Sequence, residues 1–404
     1  MICEGAAWQI LTGEYPPQQG GVSDYTQLVA TGLAAAGADV TVWAPPCEGR
    51  VSSTHTRLTV RRLPDCFGAR SLRAIDAHLR TLPAPRRILV QYVPHAFGWK
   101  GANIRFAAWL YRRRRESVWV MFHEVLFPMS REQSAAQNGL GAATRAMAAL
   151  VNGAAERRLV AIPAWQRLLA PLGNADAPVE WLPVPSTIPV VIDSAGVQAV
   201  RERYAHGRQL VGHFGTDGAL IRTLVRDSVV ALAARSECAV LLIGRGSVEA
   251  RHRIVADDPR LERRIAATGS LTPDDVSRHV SACDLMLQPF PDGVSTRRTS
   301  VMAALAHGKP LATTTGALTE AWWADSGLAV LAPAGDADAL AAAAADLLAD
   351  APGLLSLGAC ARETYDRLFD LRHTLAALGR EPGAPHHARL SLSHADAGVR
   401  RGQR

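Results

Sequence analysis

Two adjacent arginines follow a short apolar run and open an expected helix in the second half of the chain. In the stretch PDGVSTRRTSVMAALAHGKP, Ser295 is the expected N-cap, with Arg297 and Arg298 in the first helical turn. Cations there oppose the helix dipole, at a cost of about 0.3–1 kcal/mol each when exposed. A bound diphosphate would resolve that conflict by accepting from backbone N–H groups, the Ser295 and Thr296 hydroxyls and both guanidinium groups. We therefore predict an anion site; the alternative is that the arginines are solvated or pair with Asp292.

Two histidines follow apolar runs in the first half of the chain. His123 and Glu124 come directly after VWVMF, and His95 follows VQYVP, with Trp99 close behind it. A histidine at the carboxyl end of a strand can hydrogen-bond a substrate hydroxyl or phosphate, or transfer a proton near neutral pH. We expect this of His123 first and of His95 second. The alternative for each is a core histidine satisfied by the backbone.

Three glycine-containing turns would let a ligand approach the backbone closely. The Gly20–Gly21 pair precedes a helix whose N-terminal N–H groups suit an anionic or hydroxyl-rich ligand. The turn in HFGTDGALIRTL has Gly215, with Arg222 one turn into the following helix, and the turn in LLIGRGS has Gly244 and Arg245. We expect a phosphate or sugar at the second turn and a nucleobase or ribose at the third. An ordinary capped turn is the alternative for each, and the first does not match the GxGxxG dinucleotide-binding pattern.

Motifs and composition exclude several classes. The sequence has no serine-nucleophile elbow, no HExxH and no GxxxxGK[ST], which argues against hydrolases, metalloproteases and P-loop NTPases, and no metal is expected. The formal net charge of +7 favours an anionic partner, but no nucleic-acid-binding motif is present, so we expect no nucleic acid. Six scattered cysteines, without a signal-peptide pattern or a membrane-length apolar run, indicate a cytoplasmic protein.

Apolar runs alternate with helix-length amphipathic segments, which is typical of parallel sheets covered by helices on both faces. In the first half we predict strands at 8–13, 39–45, 57–63, 87–93, 117–123, 157–163 and 179–185. In the second half we predict strands at 209–214, 239–244, 263–269, 284–290, 310–315 and 327–333.

The fold class predicted from this alternation is α/β, with two doubly wound parallel-sheet domains facing each other across a cleft. Ligands are expected outside the carboxyl ends of the strands. The predicted parts are an N-terminal domain (1–187), a linker (188–208), a C-terminal domain (209–352), a final amphipathic helix (353–380) and a disordered tail (381–404).

Two stretches resemble the retaining, GT-B-fold glycosyltransferases of family four. GGVSDYTQLVATGLAAAGADVTVWAP is similar to the family's amino-terminal signature, and CDLMLQPFPDGVSTRRTSVMAALAHGKPLATTTGALTE to its donor-binding segment. The resemblance runs from about residue 7 to residue 370. It implies a GT-B architecture of two Rossmann-like domains, with a nucleotide-diphosphate sugar bound mainly by the second. It also implies that the final helix (353–380) packs back on the first domain.

The chain departs from this family at its paired glutamates. Members usually carry two glutamates separated by seven residues in the donor-binding segment, where this chain has Ser295 and Ala303. Of the usual Arg and Lys pair after the first strand of the second domain, it offers only Arg222. We infer that the Arg297–Arg298 pair takes over the cationic role, and Glu320 matches the family's glutamate after the following strand.

Site roles follow from this resemblance. The implied donor diphosphate contacts are Gly20, Gly21, Gly215, Arg222, Ser295, Thr296, Arg297 and Arg298. The implied contacts to the donor sugar and nucleoside are Gly244, Arg245, Asp292 and Glu320. The implied acceptor contacts are Tyr25, His95 and Trp99, and the catalytic residues would be His123 and Glu124.

The implied activity is transfer of a hexosyl group from a UDP- or GDP-linked sugar to an acceptor hydroxyl, with retention and without a metal or other cofactor. The acceptor would be a small molecule, a glycan or a glycolipid. A GT-B-fold sugar-nucleotide epimerase and a non-catalytic nucleotide-sugar-binding relative are the alternatives. The stretch WLYRRRR, 109–115, would allow weak peripheral contact with the inner membrane face; the alternative is the solvated end of a helix.

Overall fold

The computed structural model describes residues 7–48, 55–173, 178–216 and 218–380. Within these residues the chain forms two compact units: unit 1 comprises 7–185 with 371–380, and unit 2 comprises 186–370. The predicted disordered tail, 381–404, lies outside the described residues.

Unit 1 contains one parallel sheet and the helices that flank it. Its strands are β1 (Ala7–Thr12), β2 (Asp39–Ala44), β3 (Leu58–Arg62), β4 (Arg86–Tyr92), β5 (Val118–Phe122), β6 (Arg157–Val160) and β7 (Val179–Trp181). Its helices are α1 (Gly21–Ala35), α2 (Ala69–Leu79), α3 (Ile104–Tyr111), α4 (Ala135–Ala154), α5 (Ala164–Leu169) and, from the end of the chain, α14 (Leu371–Leu378). The strand order is β3-β2-β1-β4-β5-β6-β7.

Unit 2 repeats this plan with a smaller parallel sheet. Its strands are β8 (Leu210–Phe214), β9 (Ala239–Ile243), β10 (Ile265–Ala267), β11 (Leu285–Gln288), β12 (Leu311–Thr315) and β13 (Val330–Pro333). Its helices are α6 (Ser194–Tyr204), α7 (Ala219–Arg235), α8 (Ser247–Asp257), α9 (Pro273–Ala282), α10 (Thr299–Ala306), α11 (Trp322–Asp325), α12 (Ala337–Ala349) and α13 (Ala351–Leu368). The strand order is β10-β9-β8-β11-β12-β13.

The central strands are buried on both faces, as their continuous apolar sequences predict. Every residue of β5 (VWVMF) and of β9 (AVLLI) is buried. Each strand of the described residues overlaps a run predicted from the sequence, and all strand pairs are parallel. The predicted α/β class, with two doubly wound parallel sheets, is confirmed.

Two segments are more structured than the sequence predicted. Residues 188–208, predicted as a linker, contain α6, whose N-cap Asp193 accepts from the N–H of Gly196 at 2.9 Å. The single helix predicted at 353–380 is two helices, α13 in unit 2 and α14 in unit 1. Helix α14 packs on α1 and is held to β6, because Arg157 donates to the carbonyl of Ala377 at 2.7 Å.

Each sheet has one point at which the strand order reverses. In unit 1 it lies between β1 and β4, and in unit 2 between β8 and β11. Open parallel sheets bind ligands in the crevice outside the carboxyl ends of the strands at such a point. The loops after these four strands are therefore where a site is expected.

Among the described residues, no single helix has the length and apolar character needed to cross a membrane. The bent pair Ala337–Ala349 and Ala351–Leu378 meets both criteria only when its two parts are taken together.

One glycine shows how closely the unit 2 sheet is packed beside the reversal point. A Cβ atom at Gly212, in β8, would lie 2.5 Å from Cys283 Sγ and 2.8 Å from Met286 Sδ. Both distances are shorter than van der Waals contact, so a methyl group fits only if the neighbouring side chains move.

We predict that Gly212→Ala lowers the free energy of unfolding by about 1–3 kcal/mol, because the added methyl overpacks the core beneath β8. Urea unfolding followed by circular dichroism would measure the change. Gly139→Ala is the control: Gly139 is exposed in α4 with no atom within 4 Å of a new Cβ, and alanine should stabilise that helix by up to about 1 kcal/mol. Equal effects at the two positions would contradict the packing argument.

Candidate functional site

Side chains hold β8 and β11 together at the reversal point of unit 2. Backbone pairing between these strands reaches only as far as Gly212. Beyond it, a ring nitrogen of His213, Nδ1, lies 2.9 Å from the carbonyl oxygen of Leu287, and Gln288 Nε2 donates to the carbonyl of Phe214 at 3.1 Å. Both polar side chains are buried. Neither residue was predicted; the available signal is a polar residue near the end of an otherwise apolar strand.

The loop between β11 and α10 is organised by a carboxylate on a neighbouring loop. Glu320 Oε1 accepts from the backbone N–H of Thr296 at 3.0 Å and from its hydroxyl at 2.5 Å. Glu320 Oε2 accepts from the indole N–H of Trp323 at 3.0 Å. Glu320 is 8% exposed, and burial raises the pKa of its carboxyl group, although these hydrogen bonds act to lower it. Glu320 therefore fixes the loop, a role that differs from the predicted direct contact with the donor sugar.

Helix α10 begins later than predicted. Its first residue is Thr299 and its N-cap is Arg298, without a side-chain cap, so the predicted N-cap at Ser295 is wrong. The N–H groups expected to point outward are already used, since Thr296 donates to Glu320 and the N–H of Arg298 donates to the carbonyl of Ser295. The error comes from a tertiary contact, the Glu320 carboxylate, that a local capping rule cannot include.

Arg297 and Arg298 lie before the helix and share one carboxylate. Arg297 Nη2 lies 2.5 Å from Asp292 Oδ2, and Arg298 Nη2 donates to Asp292 Oδ1. The predicted conflict with the helix dipole is therefore wrong, and pairing with Asp292, the alternative considered for these arginines, is observed. Their side chains are 19% and 25% exposed, and the guanidinium of Arg298 lies 4.5 Å from the centre of the Phe290 ring. Asp292 thus brings the two guanidinium groups side by side, with each arginine side chain partly open to solvent.

The loops after β11 and β12 are locked to each other beneath this cluster. Gly293 has φ +84°, and a Cβ there would lie 2.2 Å from the backbone nitrogen of Gly316. The N–H of Leu318 donates to the carbonyl of Asp292 at 3.0 Å. Asp292, predicted to contact the donor nucleoside or sugar, thus anchors both the arginine side chains and the neighbouring loop.

Several other predicted donor contacts are buried. Ser295 and Thr296 are both 0% exposed, so neither hydroxyl is open to a ligand in this structure. Ala303, at the position of the family's second glutamate, is buried within α10. Of the Ser-Thr-Arg-Arg run, the arginines alone are partly open to solvent.

The turns after β8 and β9 form a second part of the same edge. A pocket of about 290 Å³, part of it open to solvent, is lined by the turn after β8, by β8 and β9, and by the helices α7 and α8; its residues include His213, Gly215, Thr216 and Ser247. Gly244 has φ +107°, and a Cβ there would lie 2.8 Å from the carbonyl oxygen of Gly215. A side chain at this position would therefore clash with the turn after β8. Arg222 and Arg245, predicted donor contacts from these turns, are both exposed.

His123 lies at the carboxyl end of β5 in unit 1, as predicted. Its Nε2 is 2.8 Å from Gln91 Oε1, its ring meets Tyr25 edge-on at 4.9 Å, and its carbonyl accepts from the indole of Trp165 at 2.9 Å. The side chain is buried, and burial lowers its pKa to about 3. The imidazole is therefore neutral at pH 7, so it can donate or accept a hydrogen bond but is not charged for proton transfer near neutrality.

The N-terminus of α1 is capped by an acidic side chain from the preceding loop. Glu14 Oε1 accepts from the N–H of Ser23 at 2.9 Å, and a Cβ at Gly20 would lie 2.4 Å from the same oxygen. Burial, and then the charge of Glu14, raises the pKa of Asp24 to about 6. Two carboxylates at this helix end disfavour the predicted phosphate contact at Gly20 and Gly21. They suit a hydroxyl-bearing ligand, which the sequence also allowed.

The remaining predicted residues of unit 1 divide into exposed and buried ones. His95 Nδ1 lies 3.7 Å from Glu124 Oε2, with the His95 and Glu124 side chains 56% and 39% exposed. Trp99 is 58% exposed. Tyr25 is buried against His123, so it supports that ring and does not reach an acceptor in this structure.

Within the described ranges, no three His, Cys, Asp or Glu side chains are grouped closely enough to hold a metal ion. The loop after β11 at the unit 2 edge carries Arg297 and Arg298, both paired with Asp292. The unit 1 edge has a neutral histidine and carboxylates.

A family model described as "Glycosyl transferases group 1" matches residues 211–350, which covers most of unit 2. No curated protein sequence matches the chain.

Solved structures of similar fold cover nearly the whole chain. Sucrose-phosphate synthase from Thermosynechococcus elongatus superposes with a TM-score of 0.69 at 17% identity, covering 92% of this chain and 97% of that one. WaaG, a glycosyltransferase involved in lipopolysaccharide biosynthesis, gives 0.64 at 15% identity, covering 94% and 100%. Anabaena HepE in complex with UDP and glucose gives 0.63 at 16% identity, covering 92% and 97%. The predicted GT-B fold is thus confirmed, and the predicted resemblance to glycosyltransferases is confirmed by the family match within residues 211–350.

Proposed function

We propose that this protein is a metal-independent, retaining glycosyltransferase that moves a hexosyl group from a nucleotide-diphosphate sugar to an acceptor hydroxyl. The observation that carries the proposal is the pair Arg297 and Arg298, held side by side by Asp292 at the carboxyl edge of unit 2. The pair lies inside the segment that matches the glycosyltransferase family model. Structures of similar fold with UDP, and with UDP-glucose, support a nucleotide-sugar donor.

The arginine pair fits the charge that develops during this reaction. The bond from the anomeric carbon to the donor phosphate oxygen breaks, and negative charge grows on the leaving diphosphate. The acceptor oxygen bonds to the same carbon from the same face, and its proton passes to the departing phosphate oxygen. Fixed donors stabilise such charge most when they need no rearrangement, and Asp292 and the Glu320-bound loop hold the arginines in place beforehand.

The unit 1 residues are assigned to hydroxyl recognition. Because Nε2 of the neutral His123 donates to Gln91 Oε1, its Nδ1 can accept from one hydroxyl without carrying charge. Glu14 and Asp24 would accept from further hydroxyls. A sugar-nucleotide epimerase is less well supported, because it needs acid and base groups at the sugar and a buried neutral histidine is a poor acid near pH 7.

We place the reaction in the cytoplasm. The five cysteines of the described residues are all free, which fits a reducing compartment.

The proposal is tested by incubating the full-length protein with UDP- and GDP-linked hexoses and measuring nucleoside diphosphate release with and without a panel of hydroxyl acceptors. One donor should raise the melting temperature and be turned over, with retention at the transferred anomeric carbon. Binding without turnover of any donor would leave a non-catalytic nucleotide-sugar-binding protein. Inversion of configuration would contradict the front-face mechanism.

Arg297→Ala and Arg298→Ala should each weaken nucleoside diphosphate binding by roughly 10- to 100-fold, because each removes a charge-assisted hydrogen-bond donor worth about 1.5–3 kcal/mol. Calorimetric titration with UDP and GDP measures the effect. Arg260→Ala is the matched control, since Arg260 is an exposed arginine of unit 2 whose side chain pairs with Asp258. If both single variants bind as tightly as the control, the arginine pair is not the diphosphate site.

His123 should make stability depend on pH. Its pKa is about 3 in the folded chain against roughly 6.5 unfolded, so between these values only the unfolded chain binds the proton. Stability contributed by the neutral ring is complete above pH 6.5 and falls by up to about 1.4 kcal/mol per pH unit below it. The stability difference between the parent protein and His123→Gln should therefore shrink from pH 7 to pH 4 in urea unfolding.

Tyr25→Phe provides the control for this series. It keeps an aromatic ring against His123 and removes no group that titrates in acid, so its difference from the parent should stay constant over the same range. A pH-independent difference for His123→Gln would show that the ring has the same pKa in the folded chain as in the unfolded chain.

A further inference from the structure

A strongly basic stretch of unit 1 surrounds helix α3. Residues 99–115 contain six basic side chains and no Asp or Glu. Arg113 is structural, since it pairs with Asp76 and its guanidinium lies 3.8 Å from the centre of the Trp109 ring. The other five, Lys100, Arg105, Arg112, Arg114 and Arg115, are exposed.

Large apolar side chains are exposed among these cations. Trp99 is 58% exposed, Ile104 is 44% exposed and Tyr111 is 38% exposed. Helix α3 has one exposed face and one buried face. The exposed residues of the helix and its C-cap are Ile104, Arg105, Tyr111 and Arg112. The residues buried in the core are Phe106, Trp109 and Leu110. We call the exposed surface of these residues the Trp99–Arg112 face; it consists of Trp99, Lys100, Ile104, Arg105, Tyr111 and Arg112.

The backbone ahead of α3 holds Trp99 outward in a strained conformation. Four consecutive residues have positive φ: Gly98 (+85°), Trp99 (+55°), Lys100 (+52°) and Gly101 (+91°). Two of them are not glycine, and such left-handed residues cost about 1–3 kcal/mol each and concentrate at functional sites. The guanidinium of Arg105 lies 5.6 Å from the centre of the Trp99 ring, so the aromatic group and the cation form one surface.

We propose that the Trp99–Arg112 face docks unit 1 on the surface of a bilayer that contains anionic lipid. Arginine and lysine complement the negative headgroups, while tryptophan and tyrosine occupy the headgroup level and an aliphatic side chain enters the acyl boundary. The exposed Ile104 favours a bilayer over a nucleic acid, because it offers phosphates and bases neither charge nor an aromatic ring.

This surface adjoins His95, a predicted acceptor contact, and Glu124, a predicted catalytic residue. A Cβ at Gly101 would lie 3.3 Å from His95 Cα and 3.4 Å from the Phe127 ring, and His95 lies 3.7 Å from Glu124. An acceptor anchored in the same bilayer by a lipid would reach His95 and Glu124 without leaving the membrane surface. This part rests on the proposed function, whereas docking itself does not.

The test is sedimentation of the full-length protein with vesicles of phosphatidylcholine, with and without phosphatidylglycerol, in the absence of donor. The protein should bind the anionic vesicles and dissociate as salt is raised. Arg105→Gln with Arg112→Gln should weaken binding by roughly 30-fold, at about fivefold per cation near the surface. Trp99→Asn, which suits a left-handed backbone, should also weaken binding and should do so at every salt concentration.

Arg73→Gln with Arg80→Gln is the matched control, since both arginines are exposed at α2 of the same unit. This pair should bind vesicles nearly as the parent does. If both double variants lost the same amount of vesicle binding, net charge alone would explain the binding and the proposed docking face would be wrong. Failure of the parent protein to bind anionic vesicles would also overturn the proposal. If the protein bound RNA in the same sedimentation assay but did not bind vesicles, the bilayer proposal would be wrong and the partner of this face would be a nucleic acid. Because no donor is present, each of these results is separate from the outcome for sugar transfer.

Discussion

Parallel pairing of strands that are buried on both faces is the constraint on which the rest of this protein depends. Such strands leave no room for chemistry along their length, so polar groups collect at their carboxyl ends. At the reversal point of unit 2 the strands also separate, and buried backbone groups there need new partners. His213 reaches the carbonyl of Leu287, and Gln288 reaches that of Phe214. These two side chains allow the loops after β8 and β11 to diverge without leaving buried carbonyl groups unsatisfied.

The two units present different charged side chains at these edges. In unit 2 one carboxylate, Asp292, is shared by two guanidinium groups, which lets like charges lie close together. In unit 1 the helix end that an anion would use is occupied by Glu14. Under the proposed function, the diphosphate would bind at unit 2 and hydroxyl groups at unit 1. This difference between the units comes from the side chains at the end of each sheet, Asp292 with its two arginines in unit 2 and Glu14 in unit 1.

The sequence was sufficient for the strands, because a run such as VWVMF or AVLLI identifies a doubly covered parallel strand by itself. It also located His123 at a strand end, but not the state of its ring, which depends on burial beside Gln91 and Tyr25. The start of α10 was missed because Glu320, far along the chain, takes the donors of Thr296. Helix caps supplied by distant carboxylates, as by Glu14 to α1, are tertiary contacts that local patterns do not contain.

The missing paired glutamates have a structural counterpart. At Ala303 the chain is buried within α10, where an ionised carboxylate would be desolvated and would need partners of its own. The acid that organises the arginine loop comes instead from Glu320, after the adjacent strand β12. The position of Arg297 and Arg298 therefore depends on the loops after β11 and β12 remaining together. Gly293 makes that approach possible, since any side chain there would meet the backbone of Gly316. The rigidity of this arginine site therefore depends on the contact between the loops after β11 and β12.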